Sequence, residues 1–435
     1  MKDANGNRAV ERVKTALIAF LILSALILGW QTKMFNEFFR SIPLFGGVAE
    51  FVRGTAGSGT PAAGGGSLIE AARPLSIVIT NNDGERYGVK YDTAARNSVY
   101  ERTSSIMGEA LGSASEPSEI SEPEWLAALA GLGVFFEYAM PVRLSVLGGW
   151  LGASVPDAMS NVSLRRMFLA ISEDRSRLYY LDNDSGAFYV ADTASSAGKA
   201  QELDIYSANG ALFAFETGVD APDNAAYTLI LPGNTRNDIH ASASGSAEEL
   251  LDYVLNAMGH QNEIYTPPYY NNSGVLICVG AQFNIGVDTF GRVTYRRTDT
   301  QSLNNEIAPV SDSEAIEIAR AIAADTIGAA CGGAEVFFES MEYGNAGQRY
   351  IYFGYYIAGG HVSLYEVGYA ARIIISEGAA IELELNFRSY SVIDEYTKLL
   401  PEKLALAAAG GEFLLSYTDS GAEKLLPTWV RSDND

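Results

Sequence analysis

Residues 311–343 read SDSEAIEIARAIAADTIGAACGGAEVFFESMEY, and this stretch decides the fold class. Ser311 and Glu314 have the spacing of a capping box, in which a serine and a glutamate three residues later satisfy each other's free N–H groups at a helix start. The run AIEIARAIAADTIG that follows has helical periodicity. AEVFFESMEY after it is short and rich in β-branched and aromatic residues, as strands are. RYIYFGYYIAG, VSLYEVGYAARIIIS and AIELELNFRSY carry the strand pattern on to residue 390. A helix followed by successive antiparallel strands is an α+β arrangement.

The segment before it repeats this pattern, though not its residues. Ser246 and Glu249 open the helix EELLDYVLNAMG, Gly259 is placed to close it, and the strands GVLICVGAQFNIGVD and GRVTYRRT follow. Further back, SIVITNNDGERYGVKY reads as a hairpin about Asn82-Asp83-Gly84. Ser121 and Glu124 begin a helix with Pro123 in its first turn, VFFEYAMPVRL is a strand, and Leu147 to Leu151 form a short apolar helical turn. Residues 164–192 pair through a turn at Asp182 to Gly186. A last helix at Pro401 to Ala409 ends at Gly410-Gly411 and leads into a terminal hairpin, EFLLSYTDSGAEKLLPTWV. The body is thus expected as mostly antiparallel sheets with packed helices: a first α+β domain at 68–235, a second helix-plus-sheet unit at 236–305, and a third at 306–435.

Thr15 to Trp30, TALIAFLILSALILGW, has no charge. From Thr15 to Thr32 a helix spans about 27 Å, enough to cross a bilayer once Lys14 and Lys33 reach outward. The run ends in Leu28-Gly29-Trp30-Gln31 with no Ala-x-Ala pattern, which reads as an uncleaved anchor. Lys2, Arg8, Arg12 and Lys14 precede it, and Lys33 and Arg40 follow, so residues 1–14 are expected as a cytoplasmic tail. Residues 15–32 are then the transmembrane helix, 33–67 a juxtamembrane segment and Gly-rich linker, and the body lies outside the cell membrane. The chain carries 53 acidic and 30 basic side chains, net −23. Residues 1–67 are net +3 and the remainder net −26. Such an acidic body does not bind nucleic acid, which requires clustered Lys and Arg.

His240, His260 and His361 are scattered without ligand spacing and read as surface or strand-end residues, so no zinc site is assigned. Asp182, Asp184 and Gly186 lack the remaining positions of a calcium loop and read as a hairpin turn. Glu116, Glu119, Glu122 and Glu124 read as a solvated loop and helix cap. No nucleophile elbow, P-loop or dinucleotide fingerprint is present, so no catalytic residue, metal or cofactor is assigned. Cys278 and Cys331 either form a disulfide, worth on the order of 4 kcal/mol for a loop of about 50 residues, or remain two buried thiols. The Tyr and Phe stripes of RYIYFGYYIAG and FNIGV either pack in the core or line a partner-binding face.

The anchor in ERVKTALIAFLILSALILGW, the stretch FEYAMPVRLSVLGGWLG followed by RRMFLAISEDRSRLYYLDNDSGAFYV, and the terminal LLPTWV together carry a family likeness. The chain resembles the YycH/YycI family, single-pass accessory proteins of the cell-wall-sensing two-component system of low-GC Gram-positive bacteria. The resemblance implies a non-enzymatic regulator that binds a membrane sensor histidine kinase through transmembrane and extracytoplasmic contacts. A paralogous accessory protein is the further partner it implies, in a heteromer. Thr15, Ala19 and Gly29, with Ala25 at the edge, are the candidate helix-packing face in the bilayer. Two readings stand beside this one: a cell-envelope peptide- or glycan-binding module or protease inhibitor, and an exported hydrolase.

Overall fold

A computed structural model describes residues 67–172, 175–194, 203–219, 223–298 and 310–431. The expected anchor and its candidate packing face, Thr15, Ala19, Ala25 and Gly29, therefore lie outside the described residues. Among the described residues no helix is long and apolar enough to cross a membrane.

The first elements are α1 (Leu68–Ala71), β1 (Ser76–Thr80) and β2 (Arg86–Val89). The expected hairpin forms, its turn held by Asn81, whose Oδ1 accepts from the N–H groups of Asp83 and Glu85 at 3.0 and 2.9 Å. Next comes α2 (Thr93–Gly112), a helix not expected from the sequence, capped by the Asp92 carboxylate on the Ala95 N–H at 2.9 Å. Then follow β3 (Ser118–Ile120), α3 (Glu122–Leu129), β4 (Gly133–Arg143), α4 (Leu144–Leu151), β5 (Ser163–Ile171), β6 (Ser176–Asp182) and β7 (Phe188–Thr193). Their seven strands form one antiparallel sheet in the order β2-β1-β4-β5-β6-β7-β3. Both faces of β4 are covered. Val134, Phe136 and Tyr138 meet Val99, Met107 and Leu147 of α2 and α4, whereas Phe135 meets Trp125, Phe168 and Phe213 on the other side.

β8 (Leu212–Phe213) and β9 (Leu229–Ile230) form a small ribbon. Just before it, the Asn209 amide closes the edge of β2: its Nδ2 donates to Gly88 O at 2.7 Å and its Oδ1 accepts from Gly88 N at 3.0 Å. A side chain thus stands where a further strand would otherwise pair.

The second half comprises β10 (Thr235–Ala243), α5 (Ala247–Met258), β11 (Tyr269–Tyr270), β12 (Leu276–Val279), β13 (Phe283–Val287), β14 (Arg292–Arg297) and α6 (Asp312–Ala323). It continues with β15 (Glu335–Tyr343), β16 (Arg349–Ile357), β17 (Gly360–Leu364), β18 (Ala371–Ser376), β19 (Ala379–Asn386), β20 (Arg388–Lys398), α7 (Glu402–Ala409), β21 (Phe413–Asp419), β22 (Lys424–Leu425) and β23 (Pro427–Arg431). Both capping boxes form as read, and Gly259 closes α5 in the left-handed region at φ 71°. β10, β20 and β22 make a three-stranded sheet. The remaining strands make one sheet of eleven, in the order β11-β12-β13-β14-β19-β18-β16-β17-β21-β23, with β15 added on β16. β14 pairs with β19, Tyr295 opposite Leu383, so strands from 236–305 and 306–435 share this sheet.

Directly paired residues of an antiparallel sheet point to the same side. One row runs Leu276, Val287, Val293, Leu385, Ala371 and Phe353, all buried. Cys278, Ile285, Tyr295, Leu383, Ile373 and Ile351 form the next row on that side. These residues and the apolar stripes of α5 and α6 belong to one core, with Val254, Leu255, Ile316 and Ile322 among the helix contributions. Ile351, Phe353 and Tyr355 of the RYIYFGYYIAG stripe are core residues.

Candidate interaction face

The alternate residues of the same strands form the opposite side of the large sheet. Tyr269, Ile277, Gly286, Thr294, Glu384, Arg372 and Tyr352 are a continuous cross-strand row, and Asn284, Arg296 and Glu382 start its neighbour. None of these ten residues is buried. Arg296 contacts Glu382 at 3.1 Å, and Arg372 reaches Glu382 at 3.1 Å and Glu384 at 2.8 Å. The Tyr369 hydroxyl donates to Glu384; burial, then that carboxylate, pushes its pKa up to about 12. This ladder of alternating charge, with tyrosines at its margins, suits recognition of a polar partner surface.

At β15 and β16 the same side of the sheet is covered by the first sheet. Phe337 and Tyr356 pack with Leu75, Ala139 and Met140. Around them, carboxylates of the second half meet arginines of the first. Glu335 takes Arg73 at 2.8 Å and also Arg96. Asp312, the first residue of α6, takes Arg143 at 2.7 Å and Arg349 at 2.8 Å. Glu412 takes Arg165 at 2.6 Å and also Arg166. Arg166 in turn faces Glu137 at 2.8 Å within the first sheet. Burial raises the Glu137 pKa, but Arg166, Arg165 and Lys90 outweigh it and hold the carboxyl at about 2. Arg236 lies 3.9 Å over the Tyr91 ring and pairs with the buried Glu402.

Cys278 and Cys331 are both free and buried. The Cys331 thiol donates to Gly328 O at 3.2 Å and Ala334 O at 3.1 Å, and burial pushes its pKa up to about 11. The Asp182 carboxylate holds its own turn, accepting from Asp184 N at 3.2 Å and Ser185 Oγ at 2.6 Å. Glu124 caps Ser121 at 2.8 Å and Glu122 accepts from the Tyr227 hydroxyl. Contrary to the expected surface or strand-end placement, His260 is buried. Its ring stacks on Phe283 at 4.3 Å and contacts the Tyr295 hydroxyl at 3.1 Å, because the turn after α5 folds it under the sheet. Burial is the main cause of its lowered pKa. His361 meets Glu339 at 3.0 Å, and His240 is exposed on β10. The arginine clamps were not foreseen, since no local spacing signals partners such as Arg73 and Glu335, 262 residues apart.

No family model and no curated protein matches the sequence. Among solved structures, the crystal structure of YycH from Bacillus subtilis superposes with a TM-score of 0.54, at 11% identity, covering 86% of this chain and 96% of that one. An uncharacterized protein from Eubacterium rectale gives 0.26 at 12% identity over 45% of this chain and 76% of that one, a score that does not bear on the fold. Across most of its length this chain shares the fold of YycH.

Proposed function

We propose that the protein is a membrane-anchored, non-enzymatic accessory regulator whose extracytoplasmic body binds a sensor histidine kinase and modulates its activity in cell-wall homeostasis. The observation that carries this reading is the YycH fold over 86% of the chain. The uncharged run from Thr15 to Thr32, with its basic N-terminal flank, supports a single-pass anchor with the N-terminus in the cytoplasm. The open side of the large sheet supplies a surface for protein contact, and a paralogous accessory protein completes the assembly as a heteromer. To change kinase activity, the body must bind the two signalling states of the kinase unequally, because equal affinity shifts no population. Crosslinking of the full chain in native membranes, with identification of what is captured, tests the reading. Recovery of the sensor kinase is the expected result. Recovery of envelope peptide or glycan without kinase replaces it with an envelope-binding module.

A further inference from the structure

Phe290 and Tyr365 are the most exposed large apolar residues among those described, at 86% and 77% of their full surface. They stand on neighbouring turns at one end of the large sheet. Phe290 is at the tip of the β13–β14 turn, and Tyr365 follows β17. The turns are linked through Arg292 and Glu366, whose charged groups are 3.9 Å apart. A third ring belongs to the same end. Tyr270, 54% exposed, donates to Glu248 at 2.7 Å, and the turn after it meets the Phe290 turn, where a Cβ on Gly274 would lie 3.6 Å from Thr289. The Phe290 turn is closed by hydrogen bonds. Asp288 accepts from Phe290 N at 2.8 Å and Arg292 N at 2.9 Å, and Phe387 N donates to Gly291 O at 2.9 Å.

Single exposed apolar residues need no explanation, whereas three exposed aromatic rings at one end of a sheet, two on neighbouring turns and one at the end of β11, form a patch of the kind that anchors an interface. The charge around the patch is mainly negative, Glu248, Asp288 and Glu366 standing against Arg292. From residue 237 to 291 the chain has no Lys or Arg and six Asp or Glu. Glu248 and Asp288 are engaged by neutral donors, and Glu366, 81% exposed, meets only Arg292 among the basic groups. An anionic bilayer surface is repelled by such a rim, and a second copy of the chain would present the same sign.

We infer that the cluster of Tyr270, Phe290 and Tyr365 docks a basic surface on the extracytoplasmic portion of the kinase, its rings filling the centre and its carboxylates pairing with partner Lys or Arg at the rim. This rests on the kinase reading above and assigns that contact a place.

The test uses the full chain in native membranes, with the photoreactive residue p-benzoylphenylalanine at position 290 or 365. Position 392, exposed on β20 in the three-stranded sheet, serves as the control. Capture of the kinase by the unmodified chain is measured in parallel. The expected result is a kinase adduct at 290 and 365 exceeding that at 392 by about fivefold, on a peptide containing Lys or Arg, and reduced about threefold by Glu366→Lys. Equal adducts at all three positions, adducts to lipid, or insensitivity to Glu366→Lys overturn the inference. If the kinase is captured but gives no adduct at 290 or 365, the patch fails and the kinase reading stands. If the kinase is never captured, both fall.

Discussion

Glu137 on β4 and Arg166 on β5 are direct cross-strand partners, 2.8 Å apart, with 2% and 3% of their side chains exposed. Arg166 also pairs with Glu412, so one guanidinium serves both the first sheet and the second half of the chain. Removing one member of a buried pair leaves the other charged and desolvated, which costs roughly 3–5 kcal/mol. Glu137→Leu is therefore expected to destabilise the fold by that order in urea unfolding, and Arg177→Ala on the exposed part of β6 by far less.

The same carboxylate gives a pH dependence. Glu137 has its folded pKa held at about 2, against an ordinary value of 4.5. A depressed folded pKa contributes stability that is fully present above the unfolded value and is lost as pH falls through the folded one, here on the order of 3 kcal/mol between about pH 4.5 and pH 2. Thermal unfolding across that window is expected to show a falling Tm in the wild type and a flatter profile in Glu137→Gln, measured from its lower starting stability. Parallel profiles would sink this assignment.

Glu335 joins Arg73 and Arg96, and the Arg96 side chain is 1% exposed. Glu335→Ala strands that buried guanidinium and is expected to cost roughly 3 kcal/mol, against about 1 kcal/mol for Arg73→Ala at the more exposed partner. Hydrogen exchange is expected to rise first in β15 and in the β4 segment packed on it.

The alternation of apolar and polar residues made most strands legible, and the serine–glutamate pairs marked three helix starts. α2 escaped because its buried side includes Arg96, Thr103 and Ser104, which an apolar stripe does not contain. Within that side Thr103 donates to the Val99 carbonyl at 2.9 Å and Arg96 pairs with Glu335. The Asp92 cap was the available local signal. The open side of the large sheet was only half legible. Alternation in VTYRR and IELELN shows two unlike faces, but which parts the first sheet covers depends on contacts between distant segments.

The two cysteines are free in the fold, so alkylation after denaturation without reductant is expected to label both. Under native conditions labelling is expected to be slow, because both thiols are buried and burial raises their pKa values. An intact mass showing a disulfide would contradict this.

In the proposed anchor, Ala19→Leu with Gly29→Leu is expected to weaken co-purification of the proposed kinase partner about fivefold while membrane insertion persists, since bulk on a small-residue face separates the helices. Unchanged co-purification would remove Thr15, Ala19, Ala25 and Gly29 as the packing face.

The arginine clamps also set an order in time. A chain made from its N-terminus presents Arg73, Arg96, Arg165 and Arg166 early, yet Glu335 and Glu412 are synthesised only some 240 to 260 residues after Arg73, Arg96, Arg165 and Arg166. Until then Arg73 and Arg96 lack Glu335, and Arg165 and Arg166 have only Glu137, so the first half reaches its final packing only when the last strands arrive. Closure of the molecule is a late event, and a chain cut short before residue 412 would lack the carboxylate that joins its two halves at Arg166.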